Sequence, residues 1–514
     1  MDDKQSNNHS RETTARSTRS TRSKATKQRK PLPLERVVTS WFNRLLGAAS
    51  DRSFSSQDEM YASNRTTRDY VWNTIGISAW GMVFPALTVV VTQLVGVEQA
   101  GMFSMAFVVG MLLMIVANYG VRTYQVSDVD ETHSFSDYQI NRFATCVGML
   151  IAGLLYCFAR GYTDDMFVIS MGVYFYKMID GLADVYEGRL QQMGKLYLAG
   201  VSQTIRSLAV VIIFSICLFI THNLMVSCIV MAIAAVASFI IVTLPLALLE
   251  TPKSRRPTRA CIVALFKQCF PLFLALFLYA LIDNMPKFVM EGVLSYDNQL
   301  YFNALYFPAQ GILLTVGLIY KPQLVRMTML WADPTKRRRF DLMILAMLGF
   351  IVVLTLFMVV VMGWIGIPVM SFMYGIDFEP FRELAFIMLA AGGVTAAIDF
   401  LYQVITVLRQ QKSVTKLYLI SFGFSLFIPI LLVNFTGLPG IVIGYLIVMS
   451  ILFVLLVWEY LRIRRTFANT PGTPNAPGTK RRPSELRAER QRLAQHRGDG
   501  MSKHSDHRKP PFEL

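Results

Sequence analysis

Twelve long apolar runs between residues 70 and 463 limit what this chain can fold into more than any other feature. Each run has about the 20 residues that a helix needs to cross the hydrocarbon core of a bilayer. The composition agrees, because 53% of the residues are hydrophobic, only 16% are charged and the mean hydropathy is +0.42. Soluble chains are about 25% charged. We therefore predict an all-α integral membrane protein rather than a soluble enzyme of several domains.

The apolar runs predict about twelve membrane-spanning helices, numbered here in chain order. Their predicted spans are residues 71–96, 99–121, 142–160, 165–187, 197–220, 223–249, 262–285, 298–320, 341–364, 381–407, 413–435 and 438–461. The connections between the runs are short, which implies that successive helices are antiparallel.

The formal net charge of +16 lies mostly in the two ends of the chain. Residues 1–70 carry +6 and residues 461–514 carry +8, so the apolar block is almost neutral. Both ends are rich in Ser, Thr, Pro, Gly and basic residues and cannot bury a core. We predict disordered basic tails at residues 1–69 and 464–514, and we do not take the pI near 9.6 as a sign of nucleic-acid binding.

One segment of the N-terminal tail, residues 34–47, has helical periodicity. Its apolar positions form one face: Leu34, Val37, Val38, Trp41, Phe42, Leu45 and Leu46. Such a helix suits the membrane interface, and basic tails attract anionic lipid. A tail helix without a role is the alternative. The first apolar run comes too late for a secretory signal peptide.

Basic residues in the connections predict the orientation of the chain. With the N-terminus inside, seventeen of these residues lie on the inner side, including the run at residues 336–339, and three lie outside. The outer connections are instead acidic. We predict that both termini are cytoplasmic.

The sequence also contains a weak internal repeat. The motif at residues 102–107 resembles that at residues 301–306, and the basic pair Arg122 and Lys321 has the same offset of 199. Pro85 and Pro271 have an offset of 186, and we assign the difference of 13 to a longer outer loop after helix 7. We predict two six-helix halves of the same orientation, residues 70–250 and 251–463, with a binding site between them.

Helix 4 places three ionisable side chains inside the bilayer. Lys177, Asp180 and Asp184 are spaced by three and four residues and share one face, and helix 5 adds Arg206. Charges in a spanning helix face a cavity or a partner. Lys177 and Arg206 lie near the midplane, with Asp180 about one turn away. One interpretation is a cavity site, and the other is a neutralised pair that holds helices 4 and 5 together.

The second half has its own ionisable residues. Lys267, Asp283 and Lys287 lie on helix 7, and Asp399 lies late in helix 10. The two lysines have an alternative interpretation as side chains that extend to the membrane surface. Asp184 and Asp399 lie near the inner interface, where a structural role competes with coupling or gating. Cations near the midplane would compensate a diphosphate or an acidic sugar, whereas carboxylates would suit proton or cation coupling.

Other chemistry is not indicated. No phosphate-binding G-x-x-x-x-G-K-[ST] loop occurs, and no histidine lies deep in a predicted span. The D-x-D at residues 128–130 is interpreted as a solvated charge run, and the six cysteines predict neither a disulfide framework nor a zinc site. The outer loops are short for membrane-bound synthesis. We expect no enzyme activity, no metal and no cofactor.

Three stretches resemble a known family: residues 118–128, residues 176–192 continuing to Arg206, and residues 283–288. In them the chain resembles the polysaccharide-transporter branch of the multidrug/oligosaccharidyl-lipid/polysaccharide (MOP) exporter superfamily, whose members flip lipid-linked oligosaccharides. The resemblance covers about residues 70–460 and leaves both tails outside.

The resemblance implies two six-helix lobes around a central cavity, alternating access, and a polyprenyl-diphosphate-linked oligosaccharide cargo. Cavities in the family are cationic, which by position matches Arg122, Lys177 and Arg206. With Asp180 and Lys267 these residues are the candidate substrate-binding set, and Asp184, Asp283, Lys287 and Asp399 are candidates for coupling or gating.

The leading hypothesis is a flippase for a surface-polysaccharide repeat unit in the bacterial plasma membrane. A cation-coupled exporter of drugs or metabolites is one alternative. A scaffold that recruits glycan-assembly proteins through the tails is another.

Overall fold

The computed structural model describes residues 65–128, 131–332, 336–408 and 411–469. This part of the chain is built from helices, and twelve of them are long and apolar enough to cross a membrane. They are α1 (Arg65–Val95), α2 (Val97–Asn118), α3 (Phe135–Arg160), α4 (Asp164–Gln192), α5 (Leu196–Thr221), α6 (Leu224–Leu249), α7 (Arg259–Glu291), α8 (Tyr296–Tyr320), α9 (Arg337–Tyr374), α10 (Arg382–Val407), α11 (Gln411–Thr436) and α12 (Leu438–Asn469). The twelve predicted helices are confirmed.

Several boundaries differ from the prediction. Helix α3 begins at Phe135, because Ser134 and Asp137 form a capping box that starts the helix seven residues earlier than predicted. Helix α9 continues to Tyr374 through a π-helical turn at Met362–Gly366. At the ends, α1 begins at Arg65 and α12 runs to Asn469, so both helices enter the segments predicted as tails. The amphipathic helix predicted at residues 34–47 lies outside the described residues.

Several helices end where the backbone enters the left-handed region. Gly161 after α3 and Gly375 after α9 have φ of 67° and 68°, which glycine adopts without strain.

The successive helices alternate in direction, so α1, α3 and α7 begin at the end of the bundle where α12 finishes. We call this the terminal end and the opposite one the far end.

The positions at which the helices begin reproduce the internal repeat of the sequence. Helices α2 and α8 begin at Val97 and Tyr296, an offset of 199 that equals the offset of the sequence motif. The expectation that a loop absorbs the difference of 13 is mostly wrong. After its proline, α7 has ten more residues than α1, and the following connection at residues 292–295 adds three more than Gly96.

The contacts between helices repeat as well. In the first half α1 packs on α5, α2 on α4, and α4 on α6; in the second half α7 packs on α11, α8 on α10, and α10 on α12. Between the halves, α2 packs on α8, and α7 packs on α2 and α3. The helices thus form two six-helix lobes of the same topology. The exact domain bounds predicted above stay a prediction.

Close packing of α2 on α8 depends on a glycine. A Cβ built at Gly101 would collide with the backbone oxygen of Tyr296. Small residues that let helix backbones approach are typical of helix contacts in membranes, where packing replaces the hydrophobic driving force. Outside this contact the surface is apolar, with Phe372 85% exposed, as expected of side chains that face lipid.

We predict that Gly101→Ala destabilises the protein by about 1–3 kcal/mol, because backbone must move to admit the methyl group. Thermal unfolding in detergent measures this. The control is Gly311→Ala on α8, where nothing lies within 4 Å of the added Cβ. This variant should be neutral or gain up to about 1 kcal/mol from helix propensity. An unfolding temperature of Gly101→Ala equal to that of the control would contradict the prediction.

Candidate functional site

One face of α4 carries a stripe of charge through the first lobe. Lys177, Asp180, Asp184 and Glu187 follow one another at spacings of three, four and three residues. Lys177 lies near the middle of the 29-residue helix, about 22 Å from its terminal end at 1.5 Å per residue. Lys177, Asp180 and Glu187 are buried. Their charges are therefore met by protein groups on neighbouring helices.

Asp180 is the centre of this stripe and accepts three hydrogen bonds. Lys177 Nζ donates to its Oδ2 at 3.2 Å, and Trp80 Nε1 of α1 donates to the same oxygen at 3.0 Å. Arg206 Nε of α5 donates to Oδ1 at 2.9 Å. One carboxylate thus joins three helices. The structure places Lys177, Asp180 and Arg206 together as paired charges, with only 1% of the Lys177 and 2% of the Arg206 side chains exposed.

Aromatic rings surround the ammonium group of Lys177. Its Nζ lies 4.5 Å from the ring centroids of Phe107 and Tyr176 and 5.0 Å from that of Trp80. Ring faces attract a cation, and the attraction grows when water is excluded. The lysine charge is therefore held by one carboxylate and three rings.

Arg206 continues the network toward the terminal end. Its Nη1 donates to Glu187 Oε1 at 2.7 Å, and Ser202 Oγ donates to the same oxygen at 3.2 Å. The guanidinium therefore bridges two buried carboxylates of α4. Replacing one partner of such a buried pair leaves an uncompensated charge and costs about 3–5 kcal/mol.

Two more arginines meet Asp184. Arg122 Nη1, from the short helix Val121–Ser127, donates to Oδ1 at 2.6 Å, and Arg142 Nη2 of α3 donates to Oδ2 at 2.7 Å. Arg142 also donates to the backbone oxygen of Ala117 at 2.8 Å and has a fully buried side chain. The Arg122 side chain is 32% exposed. Arg122 is therefore the most accessible cation of the network.

The charges of this network do not cancel. Four cations, Lys177, Arg206, Arg122 and Arg142, face three carboxylates, Asp180, Asp184 and Glu187. The balance is one positive charge within the first lobe. We call these seven residues the cationic network.

The second lobe has a separate polar cluster. Asp283 of α7 accepts from Tyr306 Oη of α8 at 2.8 Å and from Tyr445 Oη of α12 at 2.7 Å. Lys287 is buried, donates to Asn284 Oδ1 at 3.0 Å, and lies 4.1 Å from the centroid of the Tyr306 ring. Because Lys287 is enclosed by protein, it does not extend to the membrane surface.

The remaining candidates lie apart. Tyr320 Oη donates to Asp399 Oδ2 at 2.5 Å, and among the described residues no hydrogen bond joins Asp399 to Asp283. Lys267 is exposed on α7 and is part of neither cluster among the described residues. The nine candidates therefore divide into the cationic network, the Asp283 cluster and two separate positions.

Sequence reasoning missed Glu187, Arg142 and Trp80. Glu187 continues the stripe on α4 three residues after Asp184, which was a usable signal. Arg142 falls at the edge of a connection in the sequence, because the apolar run predicts that helix 3 begins at residue 142. Trp80 gave no signal, since a tryptophan in an apolar span is usual.

The D-x-D segment also differs from its interpretation as a solvated charge run. Asp128 is half-buried and accepts hydrogen bonds from Thr132, from the His133 backbone and from Tyr138. Burial alone raises the pKa of the Asp128 carboxyl, but these hydrogen bonds hold it below its usual value. Asp128 therefore organises the loop before α3.

An ion pair joins the lobes at the far end. Arg160 Nε of α3 donates to Glu291 Oε2 of α7 at 2.8 Å, and Tyr156 Oη donates to the same oxygen at 2.8 Å. Tyr162 is hydrogen-bonded to the other oxygen of Glu291. On the other side, Gln93 Nε2 of α1 donates to the backbone oxygen of Met373 at 2.8 Å. These contacts hold the two lobes together at the far end.

The sequence model of the family described as polysaccharide biosynthesis protein matches residues 69–326, half of the chain. The chain belongs to this family. The matched residues contain the first lobe from residue 69 onward, including the cationic network, and α7 and α8 of the second. No curated protein sequence matches significantly.

Solved structures with the same fold are transporters of the MOP superfamily. An inward-facing multidrug resistance MATE family transporter is 12% identical, with a TM-score of 0.54 over 77% of this chain and 99% of that one. An outward-facing structure of such a transporter is 14% identical, with a TM-score of 0.51 over 79% and 96%. A MOP superfamily transporter from Pyrococcus furiosus, described as having a binding pocket of reverse polarity, is 14% identical, with a TM-score of 0.50 over 78% and 95%. The two-lobed MOP fold is thereby shown.

We predict that Arg206→Met lowers stability by about 3–5 kcal/mol, because Asp180 and Glu187 lose their shared partner. Adding Glu187→Gln should recover part of this loss, since one buried charge is removed with it. Thermal unfolding of the purified variants in detergent measures both. If the stability losses of the two substitutions simply add in the double variant, the coupling between Arg206 and Glu187 is contradicted.

Proposed function

We propose that this protein is a flippase that moves a polyprenyl-diphosphate-linked oligosaccharide across the bacterial plasma membrane by alternating access. Both termini are cytoplasmic in this proposal, so the terminal end is the inner one. The observation that carries it is the cationic network, all of which lies within the residues that the polysaccharide biosynthesis family model matches. The lipid tail of the cargo stays in the bilayer while its headgroup passes between the lobes.

The proposed binding step uses Arg122. A guanidinium recognises phosphate oxygens through paired, charge-assisted hydrogen bonds. Arg122 can exchange Asp184 for a diphosphate because Arg142 stays on the other oxygen of Asp184 and keeps it paired. Lys177 and Arg206 add a positive field from within the lobe. Lys267, exposed on α7, is a further candidate for the substrate path.

The proposed transport step separates the lobes at the far end. The Arg160–Glu291 ion pair and the Gln93–Met373 hydrogen bond close this end in the present structure. Opening it requires both contacts to break. The Asp283 cluster is the candidate for coupling, since the two tyrosines that bond Asp283 belong to two different helices of the second lobe. Asp184, Lys287 and Asp399 are further candidates for coupling or gating. The protein performs no chemistry on its cargo in this proposal and uses no cofactor.

Substitution of Arg122 tests the binding step. Arg122→Gln removes a charged hydrogen-bond donor worth about 1.5–3 kcal/mol, so surface-glycan display in a strain lacking the wild-type gene should fall about 10- to 100-fold. The control is Arg256→Gln, which removes an equal charge at an exposed position of the connection between the lobes. Normal display by Arg122→Gln at equal membrane levels would contradict the role of Arg122.

The exporter alternative rests on the multidrug transporters with the same fold. Expression in a host without its own drug pumps separates the two functions. The flippase proposal predicts unchanged sensitivity to hydrophobic cations. Resistance that depends on Asp283 would favour the exporter.

The scaffold alternative places the function in the tails. Deletion of residues 1–60 and 470–514 leaves every described helix complete. We predict that the shortened chain restores glycan display, because transport depends on the two lobes. Loss of display, with the shortened chain present in the membrane, would favour recruitment of glycan-assembly proteins or of anionic lipid by the tails.

A further inference from the structure

The connection between the lobes is fixed to the beginning of α3 at the terminal end. The Ser136 backbone N–H donates to Ser254 Oγ at 2.8 Å. The Thr258 backbone N–H, just before α7, donates to Asp137 Oδ1 at 2.9 Å. The first turns of α3 and α7 are therefore neighbours, although they belong to different lobes.

Three side chains with metal-binding atoms meet at this junction. A ring nitrogen of His133, a carboxylate oxygen of Asp137 and the thiol sulfur of Cys261 all lie within 4.8 Å of one another. Asp137 is buried, and the other two are half-buried. In the described part of the chain, Nδ1 of His133 is buried without a hydrogen-bond partner. A buried polar atom without a partner needs an explanation, since desolvation is costly.

Other contacts hold each of the three residues in place. The His133 backbone N–H donates to Asp128 Oδ2 at 2.9 Å, and its ring lies edge-on to Tyr138. Asp137 accepts from Ser134 in the capping box and from Thr258. Cys261 lies in the first turn of α7. The capping role accounts for Asp137, but it uses neither the ring nitrogen of His133 nor the thiol of Cys261.

We propose that His133, Asp137 and Cys261 form a binding site for a divalent transition metal of the zinc class. Imidazole nitrogen, carboxylate oxygen and thiolate sulfur are the ligands that Zn²⁺ accepts, with water or another ligand in the fourth position of a tetrahedron. Oδ2 of Asp137 accepts two hydrogen bonds from Ser134, whereas Oδ1 accepts only the one from Thr258 and keeps a lone pair for the metal.

Such a metal would join the two lobes. His133 and Asp137 belong to the first lobe, and Cys261 belongs to α7 of the second. If the lobes move apart at the terminal end, as the proposed alternating access requires, a metal–ligand bond must break. Bound metal then slows transport. This consequence rests on the proposed function, whereas the site itself does not.

Cobalt titration of the metal-free, full-length protein in detergent tests the site. We expect one Co²⁺ per chain, with thiolate-to-cobalt charge-transfer absorption that Zn²⁺ abolishes by displacement. Cys261→Ser should remove this absorption, and His133→Ala should weaken binding at least about tenfold. Cys217→Ser is the matched control, since Cys217 is also half-buried but lies near the far end of α5. No charge-transfer absorption in the wild type, or its retention in Cys261→Ser, would overturn the proposal.

A second measurement needs no variant. Zn²⁺ should slow maleimide labelling of Cys261 and leave that of Cys217 unchanged, as mapped by peptide mass spectrometry. Equal labelling of Cys261 with and without Zn²⁺ would also overturn the site. If Zn²⁺ protects Cys261 from labelling but does not slow transport, the metal site stands and only its proposed effect on lobe movement is contradicted.

Discussion

The packing of α1, α4 and α5 depends on the pairing of the buried charges along α4. Asp180 alone joins α4 to Trp80 of α1 and to Arg206 of α5, and Arg206 reaches on to Glu187. In hydrocarbon an unpaired charge has no water to solvate it, so each member of the network needs its partners. The same pairing fixes the positions of three helices and stores one positive charge inside the lobe. Stability and the proposed recognition of an anionic headgroup therefore rest on the same contacts.

The two lobes share a topology but use different chemistry. The first contains arginines and a lysine bridged by carboxylates, and the second has Asp283 held by tyrosines. A repeat of helices with unlike polar centres allows one lobe to bind cargo while the other responds to an ion or proton. The contacts that would change during such a cycle lie at the ends of α3 and α7, which carry Arg160 and Glu291 at the far end and Asp137 and Cys261 at the terminal end.

Much of the fold could be predicted from the sequence, because lipid allows few ways to bury a backbone. Helix ends were less predictable, and the beginning of α3 affected the assignment of the site. Beginning helix 3 at residue 142 placed Arg142 in a connection, whereas the Ser134–Asp137 capping box places it two turns inside α3 and facing Asp184. The polar stripe on α4 was visible, since periodicity within one helix is local. The pairing of Asp283 with Tyr445 was not, because 162 residues separate them and only the packing of α7 and α12 brings them together.

If the protein moves a lipid diphosphate headgroup across the membrane, purified protein should do so in reconstituted vesicles. Purified protein is placed in vesicles whose inner leaflet carries a polyprenyl-diphosphate-linked oligosaccharide with a fluorescent sugar. The headgroups that reach the outer leaflet are measured with a quencher that does not cross membranes. We expect faster transfer than in protein-free vesicles, with inhibition by unlabelled polyprenyl diphosphate. The contrary result is headgroup transfer no faster than in protein-free vesicles, from protein that does move a hydrophobic cation in the same vesicles. That result would contradict the proposed function.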